Sequence, residues 1–136
     1  EPGRPAGKVQ HVGHVMNIRG EIEHIFVGWD ADHPKTCISR DCCSVTGAAF
    51  IVRRFLFTKA HGFYEGYGRG TFEDVDLCIT IRNLGSRIFI DTDALAYHYV
   101  GATVKLLGKG FPLMGNKMLL QQRHINDFSW DSWEVW

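Results

Sequence analysis

Glycines at positions 62, 66, 68, 70 and 85 punctuate the middle of this chain, and the one long glycine-free run between them, Thr71 to Leu84, reads as a helix. Three carboxylates, Glu73, Asp74 and Asp76, stand at its mouth within four residues. At about 100° per residue, Asp74 shares a stripe with Leu77, Cys78 and Ile81, whereas Glu73 and Asp76 fall with Thr80 and Asn83 on the polar side. An acid at the rim of an apolar stripe is partly shielded from water, the setting that suits a general base. Helix capping is the simpler explanation of the same residues. Thr71 can cap the N-terminus, acids favour a first turn, and Gly85 with Arg82 marks the C-terminus. Capping accounts for Glu73 but not for an inward-facing Asp74, because a cap needs no burial.

Around this helix the pattern is mixed α and β. Val9 to Asn17 and Glu23 to Trp29 read as extended runs separated by a turn at Gly20. Trp29 to Asp41 is polar, contains Pro34 and reads as loop. Ser44 to Val52 is an apolar strand candidate interrupted by Gly47, where a partner or ligand can approach the backbone. Arg53 to Ala60 reads as a short helix, and Arg87 to Ile90 and Ala94 to Tyr99 as strands split by Asp91, Thr92 and Asp93. A further amphipathic helix lies near Leu113 to His124, followed by Ile125, Phe128, Trp130, Trp133 and Trp136.

With 136 residues, 45% of them hydrophobic and 12% aromatic, the chain suits one globular domain, burying roughly two-thirds of its unfolded surface. Fifteen basic and fifteen acidic residues cancel, so no net field draws the chain to nucleic acid or to an anionic membrane. No apolar run reaches membrane-span length. The opening stretch, Glu1 to Gly7, has no Met and no signal-like pattern, which suggests a segment of something longer. Four cysteines, Cys37, Cys42, Cys43 and Cys78, make no recognisable framework; they read as reduced thiols in a cytoplasmic setting, with a Cys37 bridge to Cys42 or Cys43 left open. His11 and His14 would face opposite sides of a strand, which argues against zinc there with His24. Asp30-Ala31-Asp32 spells D-x-D but reads as a solvated loop.

Val45-Thr46-Gly47-Ala48-Ala49-Phe50-Ile51-Val52-Arg53-Arg54 resembles the family-2 glycosyltransferase segment V-[ST]-G-A-x-x-x-[IV]-R-R. Gly62-Phe63-Tyr64-Glu65 is similar to that family's G-F-D-E, with Tyr64 in place of the Asp. Phe72-Glu73-Asp74-Val75-Asp76-Leu77-Cys78 matches its E-D-x-D-L-C motif. Gly85 to Ile90 and Ala94 to His98 resemble the G-x-[KR]-[IV]-x-[YF]-x-P-x-A-x-x-x-H pattern that follows, with Asp93 where the family often has Pro. Val9-Gln10-His11-Val12-Gly13 is similar to a stretch that often precedes them. The likeness runs from about Lys8 to Gly101, and several motifs in order are more specific than any alone.

The resemblance implies the C-terminal half of a GT-A catalytic domain, an α/β nucleotide-diphospho-sugar transferase with a mixed sheet and flanking helices. Its core would span 8–101 and its helical, aromatic tail 102–136. Asp74 would be the general base that deprotonates an acceptor hydroxyl for inverting attack on the sugar. Glu73 and Asp76 would position the acceptor or hold the loop, and Tyr64 and Glu65 would belong to the acceptor loop. Gly47 and Ala48 would let the backbone lie close to the donor sugar. The resemblance also implies Mg2+ or Mn2+ at the diphosphate, with His98 where many such enzymes complete the metal site. Partners would be a nucleotide-sugar donor and a glycan or lipid-linked acceptor, not nucleic acid, in the cytoplasm or peripheral to a membrane. The nucleotide-binding half with its D-x-D motif should precede this region, so the isolated chain is expected to transfer weakly or not at all. A homo-oligomer that buries edge strands and tail aromatics is a further expectation. The competing class is a non-catalytic binding or assembly module on the same fold.

Overall fold

Gly13 takes φ +112°, a conformation open to glycine, and a Cβ there would stand 3.1 Å from that of Cys42. This kink decides how the first extended run is used. The computed structural model describes residues 7–98 and 112–127, and in it only His14–Met16 of that run is a strand, β1. It pairs antiparallel with β2, Ile22–His24, in the register His14↔His24, Val15↔Glu23 and Met16↔Ile22. Asn17 makes the turn, its Oδ1 accepting the Arg19 and Glu21 amides at 2.8 and 3.0 Å, while Gly20 supplies φ +69°. The second run ends sooner than Trp29 because Phe26 (φ +56°) and Gly28 (φ +82°) turn the chain left-handed.

Residues 40–44 join the two ladders of the fold. Strand β3, Arg40–Asp41, pairs antiparallel with β4, Phe89–Ile90. The Cys42 amide continues that ladder to the Ile88 carbonyl at 3.0 Å. The next residues cross to β1, with Cys43 N–H to His14 O at 3.0 Å and His14 N–H to Ser44 O at 2.9 Å. The expected strand Ser44 to Val52 stops at Ser44. The Thr46 and Gly47 amides donate to the side chains of His11 and Asp74 instead of a ladder, and Ile51 is fully exposed. Residues 94–98 are likewise not a strand but wall material for a hollow, and Tyr99 lies outside the described residues.

Helix α1, Arg54–Lys59, falls within the segment that reads as helical. Helix α2, Glu73–Asn83, ends in a Schellman motif: Gly85 at φ +82° donates to Arg82 O at 2.8 Å and Ser86 to Ile81 O at 3.2 Å. Its start differs from the predicted Thr71 cap. Thr71 and Phe72 are both left-handed, at φ +73° and +71°, and no side chain caps the helix. That conformation costs about 1–2 kcal/mol per residue, so something else must hold it. Helix α3, Leu113–Arg123, lies against this region. Tyr67, Val75, Ile79 and Leu120 form the core between them, with Ile22, Phe72 and Leu119 packed against it. A second cluster, Val15, Ile25 and Phe26, lies under the β1–β2 hairpin. The aromatic residues Phe128, Trp130, Trp133 and Trp136 lie outside the described residues. Among the described residues no helix is long and apolar enough to cross a membrane.

Candidate functional site

Asp74 sits half-buried in the first turn of α2, and its carboxylate accepts two backbone amides, Gly47 at 2.7 Å and Val75 at 2.8 Å. Gly47 leaves room for this contact. A Cβ there would come within 3.3 Å of the Asp74 Cβ and 3.6 Å of Oδ2. The close approach read from Gly47 is therefore, in the folded chain, the approach of Asp74 itself. Beside the pair opens a cleft of about 870 Å3 walled by Gly47, Ala48, Tyr64, Glu65, Glu73, Asp74 and His98. Seven of the eight sequence-predicted site residues thus converge on one hollow, from four separate stretches of chain.

Glu73 lines that cleft with its Oε2 buried and without a hydrogen-bond partner in the protein. Burial, with the charge of Asp74 added, pushes its carboxyl above the ordinary range.

Asp76, the eighth residue, does not line the cleft; of its two expected roles, positioning the acceptor or holding the loop, its bond to Tyr67 is of the second kind. Asp76 is only 3% exposed and lies on the far side of α2 from the cleft. Tyr67 Oη donates to its Oδ2 at 2.8 Å, Arg123 Nε to Oδ2 at 2.6 Å, Arg123 Nη2 to Oδ1 at 3.2 Å, and His124 Nε2 lies 3.1 Å from Oδ2. The helical wheel marks this side as polar correctly, but α3 covers it and supplies the cations. Burial alone would raise the Asp76 carboxyl; bonds from His124, Arg123 and Tyr67 overcome it and hold the group well below the usual range. Burial raises the Tyr67 phenol, and its bond to Asp76 adds to that.

The glycine-rich loop is held from α3 as well. Arg123 stacks on Tyr64, its guanidinium carbon 3.6 Å from the ring centroid, and a Cβ on Gly66 would collide with the same ring. Tyr64 therefore anchors the loop while its 42% exposed edge reaches the cleft. The buried Asn116 amide donates to the carbonyls of Tyr67, Gly70 and Thr71 at 3.0, 2.7 and 3.2 Å and to Thr71 Oγ1 at 3.0 Å. This holds the left-handed pair at the mouth of α2. Asn116→Ala strands these carbonyls, and a loss of about 1–3 kcal/mol is expected in urea denaturation; an unchanged midpoint would show that the loop holds itself. Neither Asn116 nor Arg123 carries a local motif, so no sequence signal marks them.

Cys78, on the apolar stripe as expected, donates to Val45 O at 3.9 Å, and burial pushes its thiol up to about 12. The Cys37 and Cys42 thiols lie against the carbonyls of Ala31 and Ile88 at 3.5 and 4.0 Å. Asp30 of the D-x-D tripeptide is ion-paired with Lys8 at 2.6 Å. His98 stands exposed between the cleft and a neighbouring hollow of about 280 Å3, its Nδ1 2.9 Å from Gln10 Oε1. Hard cations such as Mg2+ or Mn2+ prefer several converging oxygens. Among the described residues, the one group of three or more metal-binding side chains that converges is all imidazole: His11, His14 and His24. His98, the one residue matched to the Mg2+ or Mn2+ site, is not part of that group.

The triad corrects the reading of His11 and His14 as facing apart. Gly13 breaks the alternation between them, and the β1–β2 register sets His14 opposite His24. Ring centroids lie 4.2 to 5.2 Å apart.

Similarity to a curated protein accompanies this geometry. An uncharacterized protein of Sinorhizobium fredii (strain NBRC 101917 / NGR234), y4gI, is 26% identical over 103 residues, covering 73% of this chain and 11% of that protein. The chain thus spans about a tenth of the length of the relative it matches. No protein-family model matches the chain, and no solved structure does.

Proposed function

We propose that this chain carries the acceptor and general-base side of an inverting, family-2-like glycosyltransferase with a GT-A fold. One observation supports the reading above all: residues 47–48, 64–65, 73–74 and 98, picked out by motif alone, line a single cleft of sugar-binding size. The acceptor hydroxyl would give its proton to the Asp74 carboxylate as its oxygen attacks the anomeric carbon. The bond from that carbon to the diphosphate oxygen breaks, and the nucleoside diphosphate leaves with the electron pair. The Gly47 and Val75 amides hold the carboxylate in one orientation for this transfer. The rest of the donor site, and a cytoplasmic or membrane-peripheral setting, belong to the proposal for a longer protein.

Calorimetric titration of the chain with UDP- and GDP-sugars, with and without Mn2+, tests the reading. Weak, saturable heat with one nucleotide class is the expected result. Flat titrations with all of them, together with no sugar transfer by a chain that also carries the nucleotide-binding half, would favour the non-catalytic binding or assembly module instead.

A further inference from the structure

We propose that His11, His14 and His24 form a binding site for a divalent transition metal of the imidazole-preferring class, Zn2+ foremost. The site is independent of the glycosyltransferase reading and uses none of the cleft carboxylates.

Geometry carries the proposal. One ligand nitrogen from each ring lies within 4.8 Å of the others. His11 Nδ1 is 3.1 Å from His24 Nδ1, and His14 Nε2 is 3.2 Å from His24 Nε2. Two nitrogens on one tetrahedral Zn2+, at bonds of about 2.0–2.1 Å, stand about 3.3 Å apart, so either separation matches one edge of a coordination tetrahedron. They use opposite nitrogens of His24, so one ion takes one of the two edges and the third ring closes on it from within 4.8 Å. The chemistry of the donors points the same way, since imidazole suits Zn2+, Cu2+ or Ni2+ over Mg2+ or Ca2+.

The hydrogen bonds around the rings rank the three ligands. A backbone N–H can only donate, so Thr46, 3.1 Å away, makes His11 Nε2 an acceptor and leaves the proton of the neutral ring on Nδ1. His11 then donates to His24 Nδ1, His24 Nε2–H donates to His14 Nε2, and His14 Nδ1–H donates to Ser44 Oγ at 2.9 Å. His14 is therefore a ready ligand, with Nε2 unprotonated and Nδ1 held by a buried hydroxyl in the manner of outer-shell partners. His24, the exposed member, turns to present one nitrogen. His11 is conditional: to bind through Nδ1 it moves its proton to Nε2 and gives up the Thr46 amide. All three rings stay neutral and the metal replaces two N–H···N bonds. The exposed side at His24 leaves a fourth position open to water.

The test is titration of the untagged, chelator-stripped chain with Zn2+ by calorimetry, and with Co2+ followed by its visible tetrahedral bands. One Zn2+ per chain is expected. His24→Ala, at an exposed position that leaves the core untouched, should weaken binding more than about tenfold, and Ser44→Ala about ten- to a hundredfold through the outer shell. His11→Ala should cost least of the three ligands, and His61→Ala nothing. Absence of saturable binding, or an affinity that His24→Ala leaves unchanged, would overturn the proposal, as would an equal loss in His61→Ala. His14→Ala is read only alongside a circular-dichroism check of folding, so His24→Ala carries the decision.

Discussion

Asp74→Asn, made in a chain that also carries the nucleotide-binding half the proposal requires, is expected to lower sugar transfer by about 10²–10⁴-fold, the usual contribution of general-base assistance. The amide keeps the size of the carboxylate, and its oxygen can still accept one of the two amides, from Gly47 or Val75. It cannot take a proton. The loss should therefore fall on kcat, with the acceptor KM little changed, and the thermal midpoint should move by no more than loss of one hydrogen bond implies, about 1 kcal/mol. A variant that keeps more than about a tenth of the parent activity would remove Asp74 from the role of base. A variant that melts early would instead assign the Gly47–Asp74 contact to stability alone.

Asp76→Ala should have the largest effect on stability. It strips three partners at once from a carboxylate 3% exposed, leaving the Tyr67 hydroxyl, the Arg123 guanidinium and His124 without their shared acceptor. Breaking a buried charged pair from one side costs about 3–5 kcal/mol, a fall in Tm on the order of 10 °C. A loss under about 1 kcal/mol would mean that water replaces the carboxylate. The same network sets a pH dependence with two limbs. Asp76 is held below its unfolded value, so its contribution is complete above about pH 4 and is lost as pH falls through the folded value. His124 goes the other way: burial alone would lower it, but Asp76 and Asp127 raise it. Its contribution is complete below about pH 6.5 and is lost as pH rises through the raised value. His11, His14 and His24, held neutral by burial, add a loss of stability as pH falls below about 6.5, so urea midpoints of the parent chain should decline on the acid side from there. Asp76→Ala should remove only the part lost below about pH 4 and weaken the alkaline limb.

Helix positions were legible because their signals are local. Gly85 ends α2 in the Schellman geometry its place implies, and α1 and α3 fall inside the segments that read as helical. The strands were less so. A glycine kink at 13 and a left-handed Phe26 shorten two of them, and side chains take the amides that a third would have used. The cleft residues were named from motif order, and the fold brings all but one together. The burial of Asp76 was not legible, because a helical wheel shows two sides of one helix and nothing of what covers them. The histidine triad was discounted by strand parity, which Gly13 annuls.

What the amino-acid order determined alone is which stretches are helical, where α2 ends and which acids stand at its mouth, because backbone periodicity and glycine conformations act over a few residues. Only the tertiary structure decided that Asp74 faces a cleft, that Asp76 meets Arg123 and His124 from 47 and 48 residues away, and that three histidines meet. The solvation and partners of a side chain depend on which distant segment packs over it, and no local pattern encodes that.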